Sequence, residues 1–361
     1  MTWRSGLIDR RSFMKAAGIT FAAALSPQSL RALELTDAVY ASGFRAADGS
    51  FGIATVSERG EIVDRVALPA RAHGMAFCPS SGHVIAFARR PGTFAVAFRA
   101  DRATEPAMIA APEGRHFYGH GAFSPDGRFL YASENDFDGN RGMIGRYDAK
   151  DGFARIGEFD AQGIGTHDMT VSEDGAMLVV ANGGIETHPD FGRTKLNIDR
   201  MEPSLVLLDA RDGRLIQKHT LPSSLRQLST RHLAVGDDEQ MWFAGQWEGA
   251  RNASPPLVGH LRRGEDIALV TLPERVTEGL ANYVGAIAVN RREGIIGLTS
   301  PKGGSAVTLD AKTGAVLREE RVADAAGVAP AAEGVAVSSY RGRFNDTVSH
   351  VAWDQHIIRL A

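Results

Sequence analysis

Cysteine is nearly absent: Cys78 is the only one in 361 residues. A lone cysteine excludes an internal disulfide framework, CxxC redox chemistry, c-type haem attachment and a cysteine-rich zinc site. It follows an apolar run and reads as a small buried core residue. An excess of positive charge is also missing, with 40 Lys and Arg against 43 Asp and Glu. No nucleic acid is therefore expected as a partner, since that needs a basic face. No Gly-x-x-x-x-Gly-Lys-Ser/Thr cradle for phosphate is present. The apolar stretch from Ala16 to Leu25 is far shorter than the roughly 20 residues of a membrane-spanning helix, so no permanent membrane anchor is expected. No segment sustains an amphipathic helical period, which disfavours a helical fold.

That apolar stretch follows Asp9-Arg10-Arg11-Ser12-Phe13-Met14-Lys15. A twin arginine, a phenylalanine two places on and a modest apolar run have the form of a Tat export signal, with Arg10, Arg11 and Phe13 as its recognition residues. The expected organisation is a signal over residues 1–32 and one domain over 33–361. The implied partner is the Tat translocase, and the implied location is the periplasm. Residues 1–32 carry Arg4, Arg10, Arg11, Lys15 and Arg31 against Asp9, so a chain charge of −3 becomes −7 beyond them.

Glycine is abundant, at 40 residues, and much of it marks turns in a repeat. Ala72-His-Gly-Met-Ala-Phe-Cys-Pro-Ser-Ser-Gly82 is echoed by His120-Gly-Ala-Phe-Ser-Pro-Asp-Gly127 and by His167-Asp-Met-Thr-Val-Ser-Glu-Asp-Gly175. The three histidines fall 47 residues apart, twice. Weaker copies begin at Arg231-His232 and at Gly285. A second hairpin follows in each unit, as in Leu208-Asp-Ala-Arg-Asp-Gly213 and Leu309-Asp-Ala-Lys-Thr-Gly314. Asp-Gly and Thr-Gly between β-branched runs are hairpin turns. Four short strands in each unit of about forty to fifty residues make a propeller blade, and the length gives about seven.

The expected fold is therefore all-β: a seven-bladed β-propeller with four-stranded antiparallel blades. Inner strands should begin near residues 72, 119, 166, 231, 285 and 325. Residues 36–69 should give the outer strands of one more blade, with an inner strand from Gln355-His356-Ile-Ile-Arg-Leu360. N- and C-terminal strands sharing one blade would leave no open edge. Trp242, Trp247 and Trp353 are expected to pack between blades.

The Asp-Gly turns and Leu-Asp-Ala-x-Thr-Gly hairpins resemble YVTN and quinoprotein-like propellers. With its leader and its Trp353-Asp-Gln-His356 segment, the whole chain resembles the bacterial family known as domain of unknown function 1513. Genes of that family often lie beside imelysin-type iron-uptake proteins, which implies a periplasmic iron connection and a partner of that type. The family carries no established catalytic residues, and none is assigned here.

The inner strand of each blade lines the central channel. His73, His120, His167 and His232 sit at or next to its expected start, and His356 joins them through the closing strand. With 11 histidines in the chain, roughly half a histidine would fall at these starts by chance. Asp168 and Arg231 are their immediate neighbours. Three readings follow: histidines that pin loops by hydrogen bonding across a blade, a metal site for Fe, Cu or Zn, or acid–base chemistry with Asp168 orienting a histidine.

Long loops add to the same face. Gly183–Pro203 is a lid-like insertion with Glu186 and His188, and Glu134–Gly142 contributes Glu134, Asp136 and Asp138. A third, Gln246–Pro256, lies beside them. Asp136-Phe-Asp-Gly-Asn140 lacks the glycine and distal glutamate of a calcium loop and reads as a solvated turn. The function expected is a periplasmic binding or scaffold propeller linked to iron or other metal acquisition. The alternatives are a metal-dependent oxidoreductase or lactonase-like enzyme with its site on the axis, and a purely structural interaction propeller.

Overall fold

The structure, a computed structural model, describes residues 35 and 37–360. The twin-arginine segment, with Arg10, Arg11 and Phe13, lies outside the described residues. Seven four-stranded antiparallel sheets form a ring. In blades one to six the inner strands are Ala72–Cys78, Arg115–Phe123, Thr166–Val171, Leu228–Val235, Ala286–Asn290 and Ala325–Pro330. Each contacts the inner strand of the next blade, so the ring closes around an axis.

Blade seven is built from both ends of the fold. The C-terminal strand Val351–Arg359 is its inner strand and pairs with Tyr40–Ala46, followed by Phe51–Val56 and Ile62–Leu68. Pairing Tyr40 with Arg359 and Ala46 with Val351 leaves no unpaired edge there. The expected closure is therefore present. Three inner strands begin several residues before the expected starts, at Arg115, Leu228 and Val351.

Turn chemistry sets the hairpins. In the Ser124-Pro-Asp-Gly turn the Ser124 hydroxyl donates to Asp126, and Asp126 accepts the Arg128 amide at 3.0 Å. Gly127 takes φ +68° there, the left-handed conformation that suits glycine. Ser172, Asp174 and Gly175 repeat the arrangement one blade on.

Apolar clusters fill the space between adjacent blades. Trp242 lies in the largest, with Leu228, Val258, Ile287 and Ile296, and Trp353 packs with Tyr40, Phe44 and Phe344. Trp247 is only half-buried, and its indole donates to Ala250 O at 3.0 Å. Cys78 is buried and free. One short α-helix among the described residues, Glu274–Gly279, interrupts the strands. No helix among the described residues is long and apolar enough to cross a membrane.

Candidate metal centre in the channel

Irregularities in the inner strands bring the histidines together. A β-bulge inserts residues that the neighbouring strand cannot pair, and it re-aims their side chains. In blade one the register shifts between Ala72 and Met75, bracketing His73. In blade two it shifts between Phe117 and Gly121, bracketing His120. Blade three shifts between Thr166 and Asp168, around His167, and blade four between Thr230 and His232. In blade seven Trp353 and Ile357 are paired across an irregularity that contains His356. Blade six has its irregularity at Ala326-Gly327, without a histidine, and blade five has none.

Four bulges thus contain an imidazole, and in blade four the bulge residue is Arg231, with His232 next to it and paired with Ala244. The five rings converge. Ring centroids of His73 and His120 lie 4.8 Å apart, those of His73 and His356 4.7 Å, and those of His120 and His356 4.7 Å. His167 and His232 are 4.8 Å apart, and His120 is 5.1 Å from His167. Glycine makes this approach possible. A Cβ on Gly74 would stand 2.6 Å from His120 Nδ1 and 2.5 Å from Gly119 O. One on Gly119, at φ +110°, would stand 2.7 Å from His73 Cδ2.

The bulges themselves are held by hydroxyls. Ser42 Oγ donates to His356 O at 2.9 Å, and Ser133 Oγ donates to His120 O at 2.9 Å. In blade six Ser338 Oγ takes the same place, accepting from Gly327 N at 3.0 Å. Thr230 Oγ1 donates to Asn182 O at 2.6 Å. One nitrogen of each imidazole is not spent on this work. His73 Nδ1, His120 Nε2, His167 Nε2, His232 Nδ1 and His356 Nε2 are all buried without a hydrogen-bond partner. Serine and threonine thus share in holding the bulges, and one nitrogen of each imidazole takes no part in it.

His116, elsewhere in blade two, shows the contrast. Its Nδ1 is 2.9 Å from Phe117 O and its Nε2 is 3.0 Å from Asn135 Nδ2, so both nitrogens are satisfied. Buried polar atoms normally are. Five orphaned nitrogens in one place depart from that rule and need a cause.

Among the described residues, two trios have metal-ligand proximity: His73, His120 and His356, and His120, His167 and His232. Within each, the ligand nitrogens lie within 4.8 Å of one another. Around a tetrahedral ion with bonds of about 2.0 Å, nitrogens stand about 3.3 Å apart, so each trio closes with ring shifts of roughly 1 Å or less. His120 belongs to both. Its Nδ1 is 3.2 Å from Asp168 Oδ1, and Asp168 is fixed by the amides of Met169 and Leu233 at 2.8 and 2.9 Å. A carboxylate on one ring nitrogen fixes the tautomer and turns the other toward an ion.

Burial pushes the imidazoles of His73, His167, His232 and His356 well below their ordinary value, and neighbouring imidazoles and arginines push further. They are neutral at neutral pH, the state in which imidazole ligates.

The histidines divide the channel into two cavities. Residues downstream along the inner strands line one, of about 350 Å³, with His120, His232 and His356 at its floor and Met75, Met169 and Ile357 on its walls. Residues upstream line the other, of about 280 Å³, which His73 and His167 reach from below. The sequence places the histidines at a channel mouth. His73 and His167 do stand next to the starts of their strands, whereas His120, His232 and His356 lie farther along theirs. The unpartnered ring nitrogen of each of the five is buried.

Other residues singled out in the sequence do not join the cluster. Arg231 lines the upstream cavity, with Nη2 3.3 Å from Glu248. Glu134 is fully buried within a strand rather than in a loop, because that strand continues to Asp136. It accepts from Tyr147 at 2.7 Å and Arg155 at 2.9 Å. Asp136 accepts from Arg141 at 2.7 Å and from the Gly139 amide at 3.0 Å. His188 lies 3.6 Å from both Asp138 and Asp190, and Glu186 pairs with Arg200 at 3.7 Å. None of these four lines either channel cavity. The insertion instead contributes Arg193, which the sequence reading passed over along with Arg89, Arg90 and Lys302. The Arg89-Arg90 pair, directly after a buried strand, is the one signal that could have pointed to them.

Among solved structures, similar chains include hydrazine synthase from Kuenenia stuttgartiensis, at TM-score 0.60 and 14% identity over 81% of this chain and 86% of that one. A chain of a nidogen/laminin complex matches at TM-score 0.54 and 12% identity over 90% of this chain and 98% of that one. Likeness at this identity is one of fold. No curated protein matches. The family described as "Protein of unknown function (DUF1513)" matches residues 66–360, and the chain belongs to that family.

Proposed function

We propose that this protein is a periplasmic metal-binding propeller, exported by the Tat translocase and serving iron acquisition beside an imelysin-type protein. The observation that carries the metal reading is the set of five buried imidazole nitrogens with no partner, gathered on the axis from five blades. Left unpaired, each buried polar atom costs about 1–3 kcal/mol. An ion coordinated by the trios would satisfy several at once. Neutral imidazoles without thiolate suit iron, copper or zinc rather than calcium or magnesium. His120 would be the shared ligand, oriented by Asp168. No serine, cysteine or paired carboxylate accompanies the imidazoles among the residues lining either cavity, which favours binding over catalysis. The export and iron parts of the proposal rest on the twin-arginine motif and the family resemblance.

The test is metal analysis of protein isolated from the periplasm without chelator, beside a His120→Ala, His167→Ala variant. The expected result is bound iron or copper in the wild type, lost in the variant, with the fold kept by circular dichroism. A wild type that neither retains nor takes up Fe, Cu or Zn would end the metal reading.

A further inference from the structure

The cavity upstream of the histidines is lined by Arg89, Arg90, Arg193, Arg231 and Lys302, and by no aspartate or glutamate. Five cations around about 280 Å³ stand out in a chain whose overall charge is negative. They come from separate places: the end of a blade-one strand, the insertion of blade three, the blade-four bulge and a blade-five hairpin.

Their compensation is incomplete. Glu248 pairs with Arg231 at 3.3 Å and also with Lys195. Asp354 is taken by Arg71 at 2.8 Å. Among the described residues no carboxylate pairs with Arg89, Arg90 or Arg193. Arg231 is only 9% exposed, and its Nε and that of Arg89 are buried without a partner. Arg90 reaches only the Thr187 hydroxyl, at 3.5 Å. Burial, then the nearby Arg231, lowers the Arg90 guanidinium to about 10. Burial and neighbouring cations lower Arg193 as well. Arg231 is buried and Arg89 and Arg90 are half-buried, while Arg193 and Lys302 keep an exposed side. Cations withdrawn from water without partners are costly, and an anion held among the five would relieve their mutual repulsion and the desolvation of the first three.

We propose that this cavity is a binding site for a small, multiply charged oxyanion, seated above His73 and His167. Guanidinium forks give carboxylate and phosphate oxygens paired hydrogen bonds, and Tyr118, Tyr283 and Tyr340 line the same space with further hydroxyls. The volume admits an ion of phosphate to citrate size and excludes a polymer. His73 and His167 line the same cavity, but the proposal does not rest on the metal reading, since the cations and not the imidazoles would hold the anion's charge.

The experiment is calorimetric titration of the full chain with inorganic phosphate and, separately, with citrate, at low ionic strength. Metal is first removed and the chelator, itself a polyanion, dialysed away. Sodium chloride at matched ionic strength is the control. Saturable one-to-one binding of phosphate or citrate is expected, and the tighter ligand tells phosphate-type from carboxylate-type recognition. Arg193→Gln and Lys302→Gln should each weaken that binding by about tenfold, the worth of one charge-assisted hydrogen bond, with unchanged melting temperature. A His120→Ala, His232→Ala variant, altered only on the downstream side, should bind the anion as the wild type does, so loss of metal binding leaves this result intact. No binding beyond the chloride control, or binding that neither substitution weakens, would overturn the proposal.

Discussion

Asp168 Oδ1 lies 3.2 Å from His120 Nδ1, while the amides of Met169 and Leu233 hold the carboxylate from blades three and four. One side chain thus ties three blades to the histidine shared by both trios. Replacing it with asparagine keeps the volume but removes the acceptor charge that selects the His120 tautomer. Asp168→Asn should lower metal affinity about 10- to 100-fold, while His120→Ala should abolish binding by both trios. Competition titration with a chromophoric chelator reads both. Equal affinity in Asp168→Asn and wild type would remove the orienting role.

Glycine beside the histidines sets how near blades one and two can come. Gly74→Ala would drive a methyl into His120 and the Gly119 carbonyl, and Gly119→Ala into the His73 ring at a strained φ of +110°. Each should cost about 1–3 kcal/mol through overpacking and weaken metal binding as well. Gly279→Ala is the control, because its Cβ would meet nothing within 4 Å. Denaturant unfolding would report the difference, and a neutral Gly74→Ala would show that the rings move aside freely.

The repeat of His-Gly and Asp-Gly made the ring and its closure legible in the sequence, since each turn residue acts locally. The five axial histidines were legible for the same reason: His73, His120 and His167 recur at one place in a repeat. Their depth was not. A bulge depends on how two strands fall into register, and the pairing of Phe117 with Glu134 but of Gly121 with Ala132 is a property of both strands. Glu134 shows the same limit, reading as a loop acid until the strand is seen to run on to Asp136. The basic cavity was least legible of all. Its arginines are far apart in sequence and share no motif, and only closure of the ring brings Arg193 toward Arg89.

Trp353 anchors the strand that completes the ring. It is fully buried against Phe44 and Phe344, with ring centroids at 6.4 and 5.3 Å, and its indole donates to Gly342 O at 3.1 Å. Trp353→Ala removes that packing at the seam, where the only covalent continuity is the long way round. A loss of about 3–5 kcal/mol is expected, together with lost metal binding, because His356 enters on the same strand. Thermal unfolding against Trp247→Ala, a half-buried site, tests this. Equal losses at the two sites would contradict a special role for the seam.

Acid should destabilise the metal-free protein before it affects ordinary carboxylates. In the folded chain His73, His167, His232 and His356 have affinities for protons well below those of exposed imidazoles, burial being the main cause. In the unfolded chain they titrate near about 6.5. Above that value both states are neutral and the histidines add no pH dependence. Below it the unfolded state binds more protons, so stability falls as pH falls, by up to about 1.4 kcal/mol per histidine per pH unit. The loss continues down to the lower folded values. Melting temperatures of chelator-stripped, dialysed protein between pH 8 and pH 5 should therefore hold level and then drop steeply below about pH 6.5. The His120→Ala, His167→Ala variant should show a shallower drop. A flat profile in the wild type would mean that the axial imidazoles accept protons without penalty, and that water reaches them freely.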